Sequence, residues 1–498
     1  MERELQFSVS SCQSNLLLRL AFACLGFAAA LAAPARAQAE REHNLWPVRV
    51  SQLDASGATL SWQGAGPLIF RQPMEDGVTG DGFRPFYLRK RDGSGALTET
   101  SFLYPVFVYR ADGESYRWSV VQLINFTHPK EGAPTERNDA GFDVWPFYFS
   151  RRTDSPETTY HALFPVFGTM KQRLFNDRIS WVLFPAYFRT ERRGVVSSFY
   201  PWPFLRTIHG DGNSGFALWP LFGWRSKPGS DRSEYYLWPL IYNSVTHLDE
   251  PVPKHSFGVL PFYASEHSAD AVGETYVWPF FGYEHRTAPY HYDETRYFWP
   301  LFLQGRGDRY YNRWAPFYTH SIVNGVDKTW VIWPLFRQQT WAEENIVQTR
   351  TQFFFFLYWS LVQRRANHPE VAPASKTHVW PFVSIWDNGA GRRQLQVLSP
   401  IEVFFPHNDN MRVLWSPLFA LYRYDRSAPG TVRQSVLFDL VTWRREPERH
   451  EFHLGPIVRV VSTAASGRIT LFGGLLGFNR SAAGSRWRPF WFDFSARD

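Results

Sequence analysis

Cysteine is nearly missing from this chain: its 498 residues hold two, Cys12 and Cys24. Both lie in a leader that the sequence marks for removal. The remainder then has no thiol for a disulfide, a nucleophile or a Cys-ligated metal. Long hydrophobic runs are missing too. The run from Leu20 to Ala33 is too short and too rich in alanine for a stable membrane span, and nothing later is long enough for a transmembrane helix. Helical periodicity is absent outside the leader. Neither sign of charge dominates, since 53 Lys and Arg against 46 Asp and Glu leave a formal +7. The basic residues fall in scattered pairs such as Arg151-Arg152, Arg192-Arg193 and Arg444-Arg445. Such pairs read as solvated turns or headgroup-facing rims, so no nucleic-acid partner is expected.

The leader has the layout of a secretory signal. Arg19 precedes the apolar run, and Pro34 with the overlapping sites Ala35-Arg36-Ala37 and Ala37-Gln38-Ala39 follows it. Residues 1–37 are expected to be the signal and 38–498 a single β-repeat domain. Cys24 sits in the middle of the run, with the bulky Phe22 two residues before it. Lipidation is therefore not expected.

What the chain has in excess is aromatic side chains, 44 Phe, 23 Tyr and 22 Trp, well above ordinary usage. Mean hydropathy is still negative, at -0.33, so short apolar blocks must alternate with strongly polar stretches. The blocks recur as aromatic-Pro-apolar-aromatic: Trp145-Pro146, Trp219-Pro220, Trp278-Pro279, Trp299-Pro300 and Trp333-Pro334 anchor the clearest copies, and Trp238-Pro239 a looser one. Roughly 20 to 24 units follow one another about 16–25 residues apart. Phe353 to Trp359 and Leu437 to Trp443 keep the block without its proline. Between blocks lie Asp211-Gly212-Asn213, Asn324-Gly325 and Asp387-Asn388-Gly389, which supply the positive φ angles of hairpin turns.

Strand, turn, strand is the expected order throughout: an all-β antiparallel repeat protein of 20–24 strand-turn units. An apolar block of about nine to eleven residues bounded by charge matches a tilted membrane strand. A large up-and-down β-barrel is therefore the first expectation. A proline in nearly every strand would forfeit ladder bonds. If the proline instead marks the corner between hairpins, the alternative is a β-solenoid or multi-hairpin sheet. With the aromatics at block centres, these Trp and Pro residues are expected to form the packed core of the repeat.

Export signal, block length and hairpin order together resemble bacterial outer-membrane β-barrels as a class. Trp487 to Phe494 is similar to a terminal barrel strand, although the chain ends in Ser495-Ala496-Arg497-Asp498 rather than on an aromatic. The resemblance implies a location in the bacterial outer membrane (alternatively periplasm or cell surface), with outer-membrane lipid or an apolar cargo as partner and barrel-assembly machinery as a further one. Apolar residues on both faces of a block imply a protein that houses or conducts an apolar or amphiphilic molecule. A structural or adhesive surface scaffold is the alternative, and a secreted enzyme the weakest.

No catalytic, cofactor or metal residue is expected. Phosphate-loop, Gly-x-Ser-x-Gly and paired zinc motifs are absent. In His450-Glu451-Phe452-His453 a strand would send the two histidines to opposite faces. His285, His291, Asp293 and Glu294 read as loop polarity, Asp211 with Asn213 as a turn without the closing acid of a calcium loop, and Met74 to Gly82 as an acidic turn.

Overall fold

The computed structural model describes residues 41–490 apart from 55, 75–76, 131–138 and 482–483. The leader, both cysteines, Glu75 with Asp76, and the end of the last strand lie outside the described residues. Among the described residues, forty-five strands, from Glu42–Leu45 to Gly484–Pro489, succeed one another as antiparallel hairpins in one sheet. The all-β antiparallel repeat is as expected. The closed barrel is not, because among the described residues no ladder joins the two ends and the sheet is open. Strands are also short. They run from four residues in Glu42–Leu45 to eight in Phe336–Glu343, below the roughly nine to eleven a tilted membrane strand needs.

The reason lies in the blocks. Val144-Trp145-Pro146-Phe147 joins strand Ala140–Val144 to Tyr148–Arg152, and the Phe147 N–H donates back to the Val144 carbonyl at 2.7 Å. Leu237-Trp238-Pro239-Leu240 turns the same way, with Leu240 donating to Leu237 at 2.8 Å. The Trp–Pro bond is cis in the five clearest copies and at Trp238-Pro239. The aromatic-Pro block is thus a turn, and each repeat is a hairpin of two strands rather than one strand. Proline sits where no ladder donor is required, which resolves the conflict between a recurring proline and a paired sheet. The proline-free blocks are turns as well. Phe354 and Phe355, or Leu437, Phe438 and Asp439, take positive φ in place of the proline.

Counting from Glu42–Leu45, the turn after every odd strand carries apolar residues, most often an aromatic. Turns after even strands are mostly polar: Arg193-Gly194, Asp211-Gly212, Asn324-Gly325 and Glu344-Asn345 are two-residue examples. Both residues of Asn324-Gly325 have positive φ, as this hairpin type requires. Apolar residues enter the even turns at Leu174-Phe175, at Leu248 and Val252 in the longer turn 247–253, and at Val371 in the turn 366–373. Because a meander reverses at each turn, all odd turns of a continuous run share one edge and all even turns the other.

The described residues group into two compact units, 41–88 with 374–490, and 89–373. The second unit is a meander from Leu97–Phe102 to Tyr358–Arg365. A buried cluster in it joins Phe149, Tyr160, Ala162, Met170, Ile179 and Trp181. In the first unit, Val50, Phe70, Leu88, Val403, Met411 and Leu414 are buried. Here one odd turn expands into residues 398–421, which include the helix Asp409–Trp415, capped by the Asn408 side chain accepting from the Met411 N–H. This seven-residue helix departs from the expected lack of helix; it is too short for periodicity to show.

Candidate functional site

The aromatic edge is the feature that recurs in both units. Its backbone is held by turn-to-turn bonds that prolong the ladder: Trp145 donates to the Leu123 carbonyl at 2.8 Å, Trp238 to Pro220 at 2.7 Å and Trp333 to Pro316 at 2.7 Å. Side chains touch along the edge. Phe164 meets Phe184 at 5.2 Å between centroids, Phe184 meets Trp202 at 5.5 Å, and Trp219 meets Trp238 at 6.2 Å. The contacts do not bury them. Trp145 is 58% exposed, Trp238 51%, Trp278 46%, Trp299 41% and Trp333 57%, while Trp219 is half-buried. Pro239 and Pro300 are exposed, and Pro146, Pro220, Pro279 and Pro334 half-buried. The packed core expected of these residues is therefore corrected. They form turns, and a turn side chain has neighbours along the edge but none beyond it.

Strand faces are more polar than the blocks suggested. On adjacent strands Glu284, Glu294, Arg286 and Arg296 form pairs at 2.5–3.1 Å. Of the apolar residues around Pro239 first read as two faces of one strand, Leu237 to Leu240 form a turn, and Tyr236, Ile241 and Tyr242 belong to the two strands it joins.

A second polar constellation sits in the first unit. Arg433 holds Glu42 through two bonds of 2.8 and 3.1 Å and Asp439 at 3.2 Å. Asn44 donates to the Asp439 carbonyl at 2.8 Å and Gln63 to its carboxylate. The Arg41 N–H donates to Glu451 at 3.0 Å, and Arg449 to Glu451 at 2.6 Å. Glu42, Arg433, Glu451 and His453 are all buried. Burial pushes the Glu42 carboxyl up, but the Arg433 charge and hydrogen bonds outweigh it and hold the group below the usual carboxylate range. Residues nearly 400 positions apart are thereby clasped. A single sequence carries no signal for that.

Glu402 forms the third constellation. It accepts from Ser384 at 3.1 Å and pairs with Lys376 at 3.3 Å, beside a cavity of about 70 Å³ lined by Trp386, Gln394, Asp409 and Arg412. The arrangement staples the 398–421 insertion to the strands beneath it.

The remaining sequence candidates can be placed. His450 is exposed and His453 buried, on opposite faces as expected. His285 and Asp293 are strand residues that pair across the end of a hairpin, with His291 in its turn, so the loop reading holds for His291 alone. Glu294 accepts from Arg296 and Tyr292 instead. Asp211-Gly212 is a two-residue turn. Among the described residues no group of three or more His, Cys, Asp or Glu could hold a metal, and no helix is long and apolar enough to cross a membrane. No protein-family model matches the chain, and no curated protein does.

Proposed function

We propose that the protein is a non-catalytic β-repeat scaffold of the bacterial envelope that rests the aromatic edge of each unit in outer-membrane lipid. The observation that carries this is the alternation of turn class along the chain, apolar after odd strands and mostly polar after even ones. It makes one edge of each meander apolar and exposed. Exposed apolar surface of that extent marks an interaction surface, and Trp and Tyr favour the membrane–water interface over either phase. The short strands suit lying at the interface rather than crossing it. The excess of basic over acidic residues adds attraction to an anionic leaflet. Housing an apolar molecule is the weaker reading, since strand faces bearing Glu284 and Arg296 suit polar solutes better. An open sheet also gives barrel-assembly machinery no closed barrel to complete.

Flotation with phosphatidylethanolamine–phosphatidylglycerol vesicles tests the reading. The chain lacking residues 1–37 should rise with the vesicles and stay bound in 1 M salt, because apolar insertion is not screened. Protein left at the bottom of the gradient at low salt would refute the lipid edge.

A further inference from the structure

Among the strands Tyr310–Trp314, Tyr318–Val323, Val326–Val331, Phe336–Glu343 and Ile346–Phe353, register puts Arg313, Lys328, Arg337 and Arg350 on one face of the sheet. Lys328, Arg337 and Arg350 stand on three successive strands, about 10 Å in all at one strand spacing per step. Earlier on this face acids and bases occur together and close into pairs, as Arg296 does with Glu284 and Glu294. Here none of the four cations has a carboxylate partner among the described residues. Arg337 donates to Gln339 at 2.5 Å and to Gln352 at 3.4 Å, Arg313 donates to the Pro300 carbonyl at 3.3 Å, and Arg350 lies 5.2 Å from the Trp341 ring centre. The buried Nε atoms of Arg337 and Arg350 have no partner. Glu343, on the same face, lies at the polar edge and accepts from Gln348.

We infer that this row of cations binds a ligand carrying two or more phosphate groups, laid across the three strands. Four half-buried like charges with neutral amides and hydroxyls between them repel one another until an anion of matching length occupies the face. Guanidinium groups bind phosphate oxygens through paired N–H donors. Half-burial weakens the bulk screening of these charges without removing it. Burial first, then the charges of Arg337 and Arg313, pushes the Lys328 ammonium below its usual value. A bound polyanion reverses that push.

Tripolyphosphate is the probe, titrated calorimetrically into the full chain, with short-chain cardiolipin, a lipid of two phosphates, dispersed in detergent as a second arm. Wild type should bind tripolyphosphate, with affinity falling as salt rises. Lys328→Gln combined with Arg337→Gln should weaken binding at least about tenfold, whereas Arg232→Gln, at an exposed site elsewhere in the unit, should change it less than twofold. Binding of both probes, lost together in the double variant, assigns the site to headgroup phosphate; binding of tripolyphosphate alone assigns it to a soluble one. Should the double variant misfold, acylation of Lys328 in wild type decides, since tripolyphosphate must slow it severalfold. No binding by wild type, binding within twofold in a folded double variant, or unprotected Lys328 would overturn the inference. None of these results depends on the aromatic edge.

Discussion

Arg433→Met is expected to destabilise the unit formed by 41–88 and 374–490 by about 3–5 kcal/mol, the usual cost of removing one partner from a buried ion cluster. Arg433 is the cation that Glu42 and Asp439 share in a site closed to water. Methionine fills its space but leaves both carboxylates without a counter-charge. Hydrogen exchange of the first strands, 42–53, reads the loss directly, because those strands are fastened to the C-terminal ones through this cluster. A double-mutant cycle with Glu42→Gln should return a coupling above about 2 kcal/mol. A loss below about 1 kcal/mol with unchanged exchange would mean the clasp is ornamental.

The same unit has an acid limit whose sign can be worked out. Glu42, Glu402 and Glu451 are held below the usual carboxylate range against the opposing effect of burial, by Arg433, Lys376 and, for Glu451, His453 with Arg449. A depressed folded pKa adds stability above the unfolded value, about 4.3, and that stability is lost as pH falls further. His378, pushed down to about 4 by burial, acts earlier. It favours the folded state above its ordinary 6.5 and loses that contribution between pH 6.5 and 4, on the order of 3 kcal/mol. Acid unfolding of this unit should therefore begin below pH 6.5 and steepen below pH 4.

The second large effect concerns the lipid edge. Changing Trp238, Trp278 and Trp299 together to Ser should lower partitioning into vesicles at least about a hundredfold. Each ring leaves near half its surface exposed. A Trp buries about 150–250 Å² when fully covered, so covering that half gains up to about 2–3 kcal/mol at 25 cal/mol per Å². Three rings inserted only in part still exceed two decades. Leu174→Ser with Phe175→Ser supplies the control. Phe175 is 92% exposed but lies on the other edge, so that pair should change partitioning less than about threefold. Equal losses from both variants would indicate general stickiness rather than an edge.

Much of this architecture was legible in residue order. The Asp-Gly and Asn-Gly pairs announced their hairpins, and the recurrence of aromatic-Pro blocks announced a repeat of the right number. The position of the blocks was misread for a physical reason. Hydrophobicity ordinarily marks the strand and polarity the turn, whereas here every second turn is the more apolar element. Proline was the clue, since a ladder cannot use it and a corner can. Glu42 with Arg433 was illegible for a different reason: neither residue is unusual locally, and only the fold brings them together. The basic row is intermediate. Its four cations are plain in the sequence, but alternation and register are needed to put them on one face and to show that none of them pairs with an acid.

Two labels in successive turns test the central claim most directly. Phe262 is 72% exposed on the aromatic edge, and Ala269 is exposed on the opposite edge, separated by the five-residue strand Tyr263–His267, about 17 Å. Nitroxides are placed at Phe262→Cys and, separately, Ala269→Cys in a background with Cys12 and Cys24 replaced by Ser. Power saturation is then read with oxygen and with a water-soluble nickel chelate. With vesicles present, the label at 262 should gain oxygen and lose nickel accessibility while the label at 269 keeps its aqueous values. The same response at both positions, or none at 262, would contradict an aromatic edge seated in lipid.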